Sequence, residues 1–263
     1  MKDFIIENLG FKRYEESDLE EVSKDSEVIK ALELLSKLGE SNRNLYVRVI
    51  DTNVFGYIPT YYDGIFLYEL KGMFYTDEEK AIEAFAHFKE VSSRAYKDGN
   101  FETYSADSSQ IYAMVLYYNI FKSGNMNNQQ IFEGFITALQ KSNFRVEDVS
   151  DKIIKKVIES IPENLLRLRE VGKEDKIKIY SAIGSRSKKT DDILSWTTKK
   201  EIANQLGMER YDNGFYIVKG EVDIKDIIFD FDKEVGVLFD IEDYSDNLKE
   251  VIVKPNSVKI LNK

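Results

Sequence analysis

Cysteine is missing from the 263-residue chain, and there are only three prolines. Without cysteine the protein has no disulfide framework, no thiolate nucleophile and no cysteine-based zinc site. Chains of this kind are typical of the reducing cytosol. We therefore predict a cytoplasmic location.

Long apolar runs are also lacking. No stretch approaches the roughly 18 consecutive apolar residues of a membrane span, and the first residues do not resemble a signal peptide. The only histidine, His87, lies among apolar residues of a predicted helix, with no nucleophile motif near it, so we interpret it as a packing residue. No phosphate-binding glycine loop or histidine-containing metal motif occurs. We predict no membrane contact.

Acidic residues outnumber basic residues, 47 to 37, and the formal net charge is −10. Such a surface repels a phosphate backbone, so we predict no direct binding to nucleic acid. Four aspartates alternate with apolar residues as on the outer face of a sheet, and we predict no metal site among them: Asp223, Asp226, Asp230 and Asp232. The acidic surface keeps the protein soluble or, alternatively, docks on a basic surface of a protein partner.

Apolar and aromatic residues are plentiful, at 43% and 13% of the chain, which is ample for packed cores. Helical spacing predominates before a polar break at residues 172–175, and strand-like alternation predominates after it. We predict an α+β protein, with a mainly helical domain that includes a few strands over residues 1–172 and a strand-rich domain over residues 173–263.

Local patterns give the expected elements. In the first part they predict one helix, or two in series, over 17–38, further helices over 77–96, 106–121, 130–139, 146–161 and 162–171, and strands over 45–50 and 64–70. In the second part they predict strands over 176–183, 194–197, 214–219, 227–231, 235–239, 249–254 and 258–261, with polar loops over 184–192 and 240–247. Capping boxes at Thr76 and Thr198 predict two helix starts, and Gly207 predicts the end of the second helix.

Three short motifs follow one another in the second part. Tyr180-Ser181-Ala182 lies on the opening strand, Ser195-Trp196-Thr197 precedes the capped helix, and Glu250 begins an apolar strand. Each has an ordinary structural interpretation: Glu250 as a strand-end residue on a solvated face, Trp196 as core, and Thr197 as a helix cap. Their order and spacing are more specific than any one motif alone.

In that order the motifs resemble the core of the ADP-ribosyltransferase fold, over residues 176–255. The resemblance implies a split β-sheet that binds NAD as co-substrate in a cleft. It implies that Glu250 is the catalytic carboxylate, which stabilises positive charge developing at the nicotinamide ribose. Tyr180, Ser195, Trp196 and Thr197 would contact NAD. The implied function is transfer of ADP-ribose to a macromolecule of a host or competitor cell, with a protein as the expected target.

Two departures from the family pattern leave the activity open. Ser181 stands where family members carry an arginine that anchors a phosphate or ribose of NAD, and Arg186 on the following loop is the candidate replacement. Leu248 stands two residues before Glu250, where members that modify arginine carry glutamate, which argues against simple arginine modification. The alternative is a catalytically inactive, acidic protein-binding module, such as a phage-borne inhibitor of a bacterial defence system, acting in the host cytoplasm.

Overall fold

The structure, a computed structural model, describes residues 11–14, 24–50, 56–65, 67–70, 77–101, 113–141, 149–171, 175–184, 193–212, 214–241, 247 and 249–262. The chain groups into two compact units, Met1–Gln130 with Gly134–Asn143 and Ile131–Glu133 with Phe144–Lys263. Helices and sheets occur together, so the α+β prediction is confirmed. Within the described ranges, no helix combines the length and the apolar character that crossing a membrane requires.

The first unit contains a four-stranded antiparallel sheet whose strands follow the order of the chain: β1 (Phe11–Arg13), β2 (Leu45–Ile50), β3 (Gly56–Tyr62) and β4 (Leu67–Glu69). Its helices are α1 (Ser26–Leu38), α2 (Glu78–Asp98), α3 (Ala113–Ser123) and α4 (Asn128–Lys141), of which residues 131–133 group with the second unit. The sequence analysis did not predict β3, because Gly56 and Pro59 are typical strand breakers.

The bounds of α1 follow from its capping residues. The Asp25 side chain accepts hydrogen bonds from the backbone N–H groups of Glu27 and Val28, at 2.9 and 3.2 Å. Gly39 ends the helix with φ of 69°, a left-handed conformation that glycine adopts without a steric penalty. The cap at Asp25 sets the start of this helix at Ser26.

Some predictions fall outside the described residues. These are the helix start predicted at residue 17, the helix starts predicted at residues 106 and 146, and Thr76 of the first capping box. The adjacent Asp77 caps α2 by accepting a hydrogen bond from the Lys80 backbone N–H at 3.0 Å.

The second unit is built on a six-stranded antiparallel sheet in the order β10-β7-β5-β6-β9-β8. Its strands are β5 (Lys176–Gly184), β6 (Ser195–Thr197), β7 (Phe215–Asp223), β8 (Ile227–Asp230), β9 (Glu250–Val253) and β10 (Lys259–Asn262). Strand β5 pairs with β7 along its whole length. Its pairing with β6 is limited to one register pair, Tyr180 of β5 with Thr197 of β6. Two three-stranded halves therefore meet at this single pair, which we call the seam.

Four helices accompany this sheet: α5 (Asp151–Glu159), α6 (Glu163–Val171), α7 (Lys200–Arg210) and α8 (Phe231–Phe239). Alternate side chains of a strand point to opposite faces, and on one face Ile177, Ile179 and Ile183 of β5 enter a core with Trp196 of β6. The same core takes its remaining buried residues from the other strands and their ends: Val218, Val222, Ile227, Val251 and Val253. Helix α7 packs against β5, β6 and β7.

The segment 235–239, predicted as a strand, is the second half of helix α8. Its apolar and β-branched residues suggested a strand, but Asp230 caps the helix by accepting hydrogen bonds from the backbone N–H groups of Asp232 and Lys233, at 3.2 and 3.3 Å. Asp230 is 4% exposed, so it does not belong to the outer face of a sheet as predicted. A capping aspartate followed by acidic residues was the relevant signal.

The predicted bounds of α7 also need correction. Thr198 does not cap the helix; the N-cap position is Lys199, and the Thr197 hydroxyl accepts a hydrogen bond from the Lys199 backbone N–H at 3.2 Å. Gly207 lies inside the helix rather than at its end. A Cβ atom at Gly207 would lie 2.3 Å from Cε2 of Phe215, so close packing explains this glycine.

Candidate functional site

Side chains from three neighbouring strands meet at the seam. Tyr180 of β5 pairs with Thr197 of β6, and Thr197 pairs with Glu250 of β9. Paired residues on antiparallel strands point to the same face, so these side chains form a cross-strand row. Strands lie about 4.8 Å apart, so the Tyr180 and Glu250 backbones are roughly 10 Å apart, with Thr197 between them. Residues 70 positions apart in sequence therefore share one surface.

Ser195 joins this row through its hydroxyl group. It lies two residues before Thr197, on the same face, and its Oγ donates a hydrogen bond to Oε1 of Glu250 at 2.5 Å. Ser195 and Glu250 are both partly exposed, whereas Thr197 is buried. The hydroxyl thus orients a carboxylate that a ligand can reach.

Other residues of the predicted site lie elsewhere. Trp196 is 3% exposed in the core on the opposite face, where its Nε1 donates a hydrogen bond to the Ile193 carbonyl at 3.0 Å. This placement corrects the prediction that Trp196 lines the pocket and agrees with its packing interpretation. Ser181 also points away from the row, since its register partner is the buried Val218. Arg186 lies outside the described residues.

A cleft of about 660 Å³ is lined by residues that lie close to the row in sequence. We call it the lysine cleft, because it is lined by Lys176, Lys178, Lys199, Lys233 and Lys249. Chain connectivity joins it to the row, since Lys178 lies two residues before Tyr180 and Lys249 directly precedes Glu250. Residues that adjoin the row in the chain therefore line the cleft, and the row and the cleft together are the candidate site.

Two hydrogen bonds hold the backbone of residues that line the cleft. The Thr198 N–H donates a hydrogen bond to the Lys249 carbonyl at 3.0 Å, and the Thr197 hydroxyl holds the Lys199 backbone in place. Lys249 adopts φ of 48°, a left-handed conformation that is uncommon for residues other than glycine. Strained backbone of this kind occurs preferentially at functional sites.

The lysines of the cleft differ in their partners. Three of them form ion pairs with carboxylates: Lys176 with Glu221 at 3.4 Å, Lys233 with Asp230 at 3.5 Å, and Lys249 with Asp232. Lys178 and Lys199 are exposed and form no ion pair with any residue in the described ranges. These two ammonium groups are therefore placed to attract an anion.

Asp230 and Asp232 supply the negative charge of the cleft. Burial raises the pKa of Asp230 above its ordinary value, and the nearby positive charge of Lys233 offsets this effect only in part. Because the cleft holds five lysines and two aspartates, cations outnumber anions in a chain whose net charge is −10.

A buried ion pair supports the strand next to β9. The guanidinium of Arg169, on α6, donates hydrogen bonds to both carboxylate oxygens of Glu234 on α8, at 2.5 and 2.8 Å. It also donates to the carbonyls of Ile227 and Ile228 in β8, at 2.7 and 2.9 Å. This contact links α6, β8 and α8, and β8 in turn pairs with the strand that carries Glu250.

Sequence reasoning identified the row but not the lysine cleft. One signal was present in β5, where Lys176 and Lys178 alternate with Ile177 and Ile179, which indicates a cationic face opposite the core. No such signal indicated that Lys233 lines the cleft, because part of its helix, residues 235–239, has the pattern of a strand. Bringing the cleft together requires the tertiary fold.

Comparisons of the chain with protein families, with curated protein sequences and with solved structures gave no match. Over the described ranges, histidine, aspartate and glutamate form no cluster of three or more that would hold a metal ion.

Proposed function

We propose that the protein transfers ADP-ribose from NAD to a macromolecule of a host or competitor cell, with a protein as the expected target. The observation that carries the proposal is the contact between Ser195 and Glu250 at the seam. It presents an oriented, partly exposed carboxylate on the same sheet face as the aromatic ring of Tyr180.

The chemistry requires these groups together. The bond between C1′ of the nicotinamide ribose and the ring nitrogen breaks, and nicotinamide leaves with the bonding electrons. Positive charge develops on the ribose, where a carboxylate held in place stabilises it. A nucleophile on the target then bonds to C1′ and loses its proton. In this proposal Glu250 supplies the negative charge and Ser195 positions it.

Tyr180 and Thr197 give the site its shape. The Tyr180 ring is partly exposed on the same face as Glu250, and aromatic rings favour contact with other planar rings such as nicotinamide. Thr197 is buried between them and provides the floor. In this proposal Tyr180 and Glu250 flank the nicotinamide riboside, with Thr197 beneath it.

The acidic surface supports the alternative of a protein-docking module less well. Its described carboxylates are partly engaged within the unit, since Asp226 pairs with Lys254 at 3.3 Å and Asp232 pairs with Lys249. Residues 242–246, the acidic part of the predicted loop, lie outside the described residues. The row with Glu250, by contrast, has a defined geometry.

The test is release of nicotinamide from NAD by the purified protein, in the presence of a cell lysate that supplies targets. Glu250→Gln keeps the shape and the hydrogen-bonding capacity but loses the charge, so we expect turnover to fall on the order of 100-fold or more. Glu201→Gln, which makes the same charge change on exposed α7, is the matched control and is expected to retain activity.

Two results would contradict the proposal. One is turnover by Glu250→Gln equal to that of the unchanged protein. The other is the lack of any heat of binding for NAD up to millimolar concentration in calorimetry, which would favour the inactive binding module.

A further inference from the structure

We infer that the lysine cleft binds the diphosphate of the dinucleotide. The inference rests on the proposed function, because it assigns part of the same substrate to the neighbouring cleft. It names a binding site for a phosphate-bearing ligand, with Lys178 and Lys199 as the principal contacts.

The charge of the cleft sets the chemical class of ligand. Five lysines and two aspartates line the cleft, and Glu221, which pairs with Lys176 at 3.4 Å and lies opposite Lys178 in the sheet, adds one carboxylate beside it, although the chain as a whole carries a net charge of −10. Since the acidic surroundings repel large polyanions, the cleft favours a compact anion that enters it fully. Its volume of about 660 Å³ lies within the usual range for small-molecule sites.

The position of the cleft matches the covalent structure of NAD. The diphosphate is attached to C5′ of the same ribose whose C1′ would react beside Glu250. A phosphate site must therefore lie about one sugar ring from the row. Lys178 precedes Tyr180 by two residues on the same strand face, which is about 7 Å.

Lys178 and Lys199 come from two different segments of the chain. Lys178 is the third residue of β5, where pairing with Glu221 of β7 fixes its backbone. Lys199 is held by the hydrogen bond from its N–H to the Thr197 hydroxyl, so it is coupled directly to the row. Ser181 faces the other side of the sheet, so even an arginine at its position would not reach this cleft directly.

The remaining charged residues have a supporting part. Lys249 contacts Asp232 and Lys233 lies 3.5 Å from Asp230, so these lysines are partly neutralised. Asp232 therefore lowers the affinity of the cleft for an anion. This arrangement yields a test in which two substitutions change the affinity in opposite directions.

The experiment is isothermal calorimetry with ADP-ribose, inorganic pyrophosphate and nicotinamide riboside, which lacks the diphosphate. We expect ADP-ribose and pyrophosphate to bind and their affinity to fall as ionic strength rises. Lys178→Ala and Lys199→Ala should each weaken ADP-ribose binding roughly tenfold, whereas their effect on nicotinamide riboside should be small. Asp232→Asn should tighten pyrophosphate binding a few-fold.

Lys225→Ala is the matched control, because Lys225 is an exposed lysine of the same unit that does not line the cleft. Lys178 and Lys199 are exposed, so replacing them does not disturb the core, and the circular dichroism spectrum verifies the fold of each variant. Equal ADP-ribose affinities for Lys178→Ala, Lys199→Ala and Lys225→Ala would overturn the inference.

The results separate this inference from the proposed function. Binding of pyrophosphate that depends on Lys178 and Lys199, without nicotinamide release, would retain the anion site and reject the transferase. Nicotinamide release with a KM for NAD that neither lysine substitution changes would retain the transferase and reject the anion site.

Discussion

Arg169 provides the sharpest test of how the second unit is held together. Its side chain and that of Glu234 are only 7% and 3% exposed. Replacing Arg169 with alanine removes both hydrogen bonds to the carboxylate and both bonds to the carbonyls of Ile227 and Ile228. Glu234 would keep the hydrogen bond from the Asp230 N–H, but its charge would remain buried.

Removal of one partner from a buried ion pair typically costs about 3–5 kcal/mol, because the other charge remains without compensation. Trp196, the only tryptophan, lies in the core of the same unit, so its fluorescence reports the unfolding of that unit. With an m value of about 2 kcal/mol per molar urea, the midpoint should fall by roughly 2 M.

Arg167→Ala is the control on the same helix. Arg167 pairs with Glu163 at 3.0 Å, but the two side chains are 77% and 83% exposed, so the loss should be below about 1 kcal/mol. The double variant Arg169→Met with Glu234→Leu should recover part of the stability, because it removes both charges but not the cost of the lost hydrogen bonds to the Ile227 and Ile228 carbonyls. Equal urea midpoints for Arg169→Ala and Arg167→Ala would refute this reasoning.

Two further predictions concern stability. Gly207→Ala should destabilise the protein by about 1–3 kcal/mol, because the added Cβ would overlap the Phe215 ring, although alanine normally favours helices. Asn204→Ala, at an exposed position of the same helix, is the control. A gain in stability for Gly207→Ala would contradict this packing. The raised pKa of Asp230 means that its contribution to stability is present below the ordinary value of 3.8 and is lost as pH rises through the higher folded value. Asp230→Asn keeps a capping side chain without the charge. The urea midpoint of this variant minus that of the unchanged protein should therefore increase from pH 4 to pH 7. A difference that stays constant over this range would exclude the pH-dependent contribution of Asp230.

The sequence predicted the elements of the site better than their surroundings. Residues Tyr180, Thr197 and Glu250 lie on predicted strands, and alternation alone places Trp196 opposite Thr197. What the sequence could not supply was the register, which brings Thr197 between Tyr180 and Glu250. Register depends on pairings between strands that are far apart in the chain.

Errors in the predicted fold arose where local signals conflicted with tertiary packing. Segment 235–239 reads as a strand, yet the cap at Asp230 and the buried pair between Glu234 and Arg169 favour a helix. Gly207 is a typical stop signal, yet here it makes room for Phe215. In both cases a contact with a residue distant in sequence or outside the element decided the outcome, and such contacts are not encoded in local periodicity.

The seam has a thermodynamic consequence for any molecule that lies across it. The two sheet halves share the backbone register of only one residue pair, so local separation at this place disrupts fewer main-chain hydrogen bonds than elsewhere in the sheet. A ligand that touches Tyr180 on one half and Glu250 on the other would stabilise the pairing of the two halves, because it binds only when they are joined. Its free energy of binding would then add to the free energy needed to separate the two halves. Amide hydrogen exchange in β5 and β6 would slow together as the ligand concentration rises.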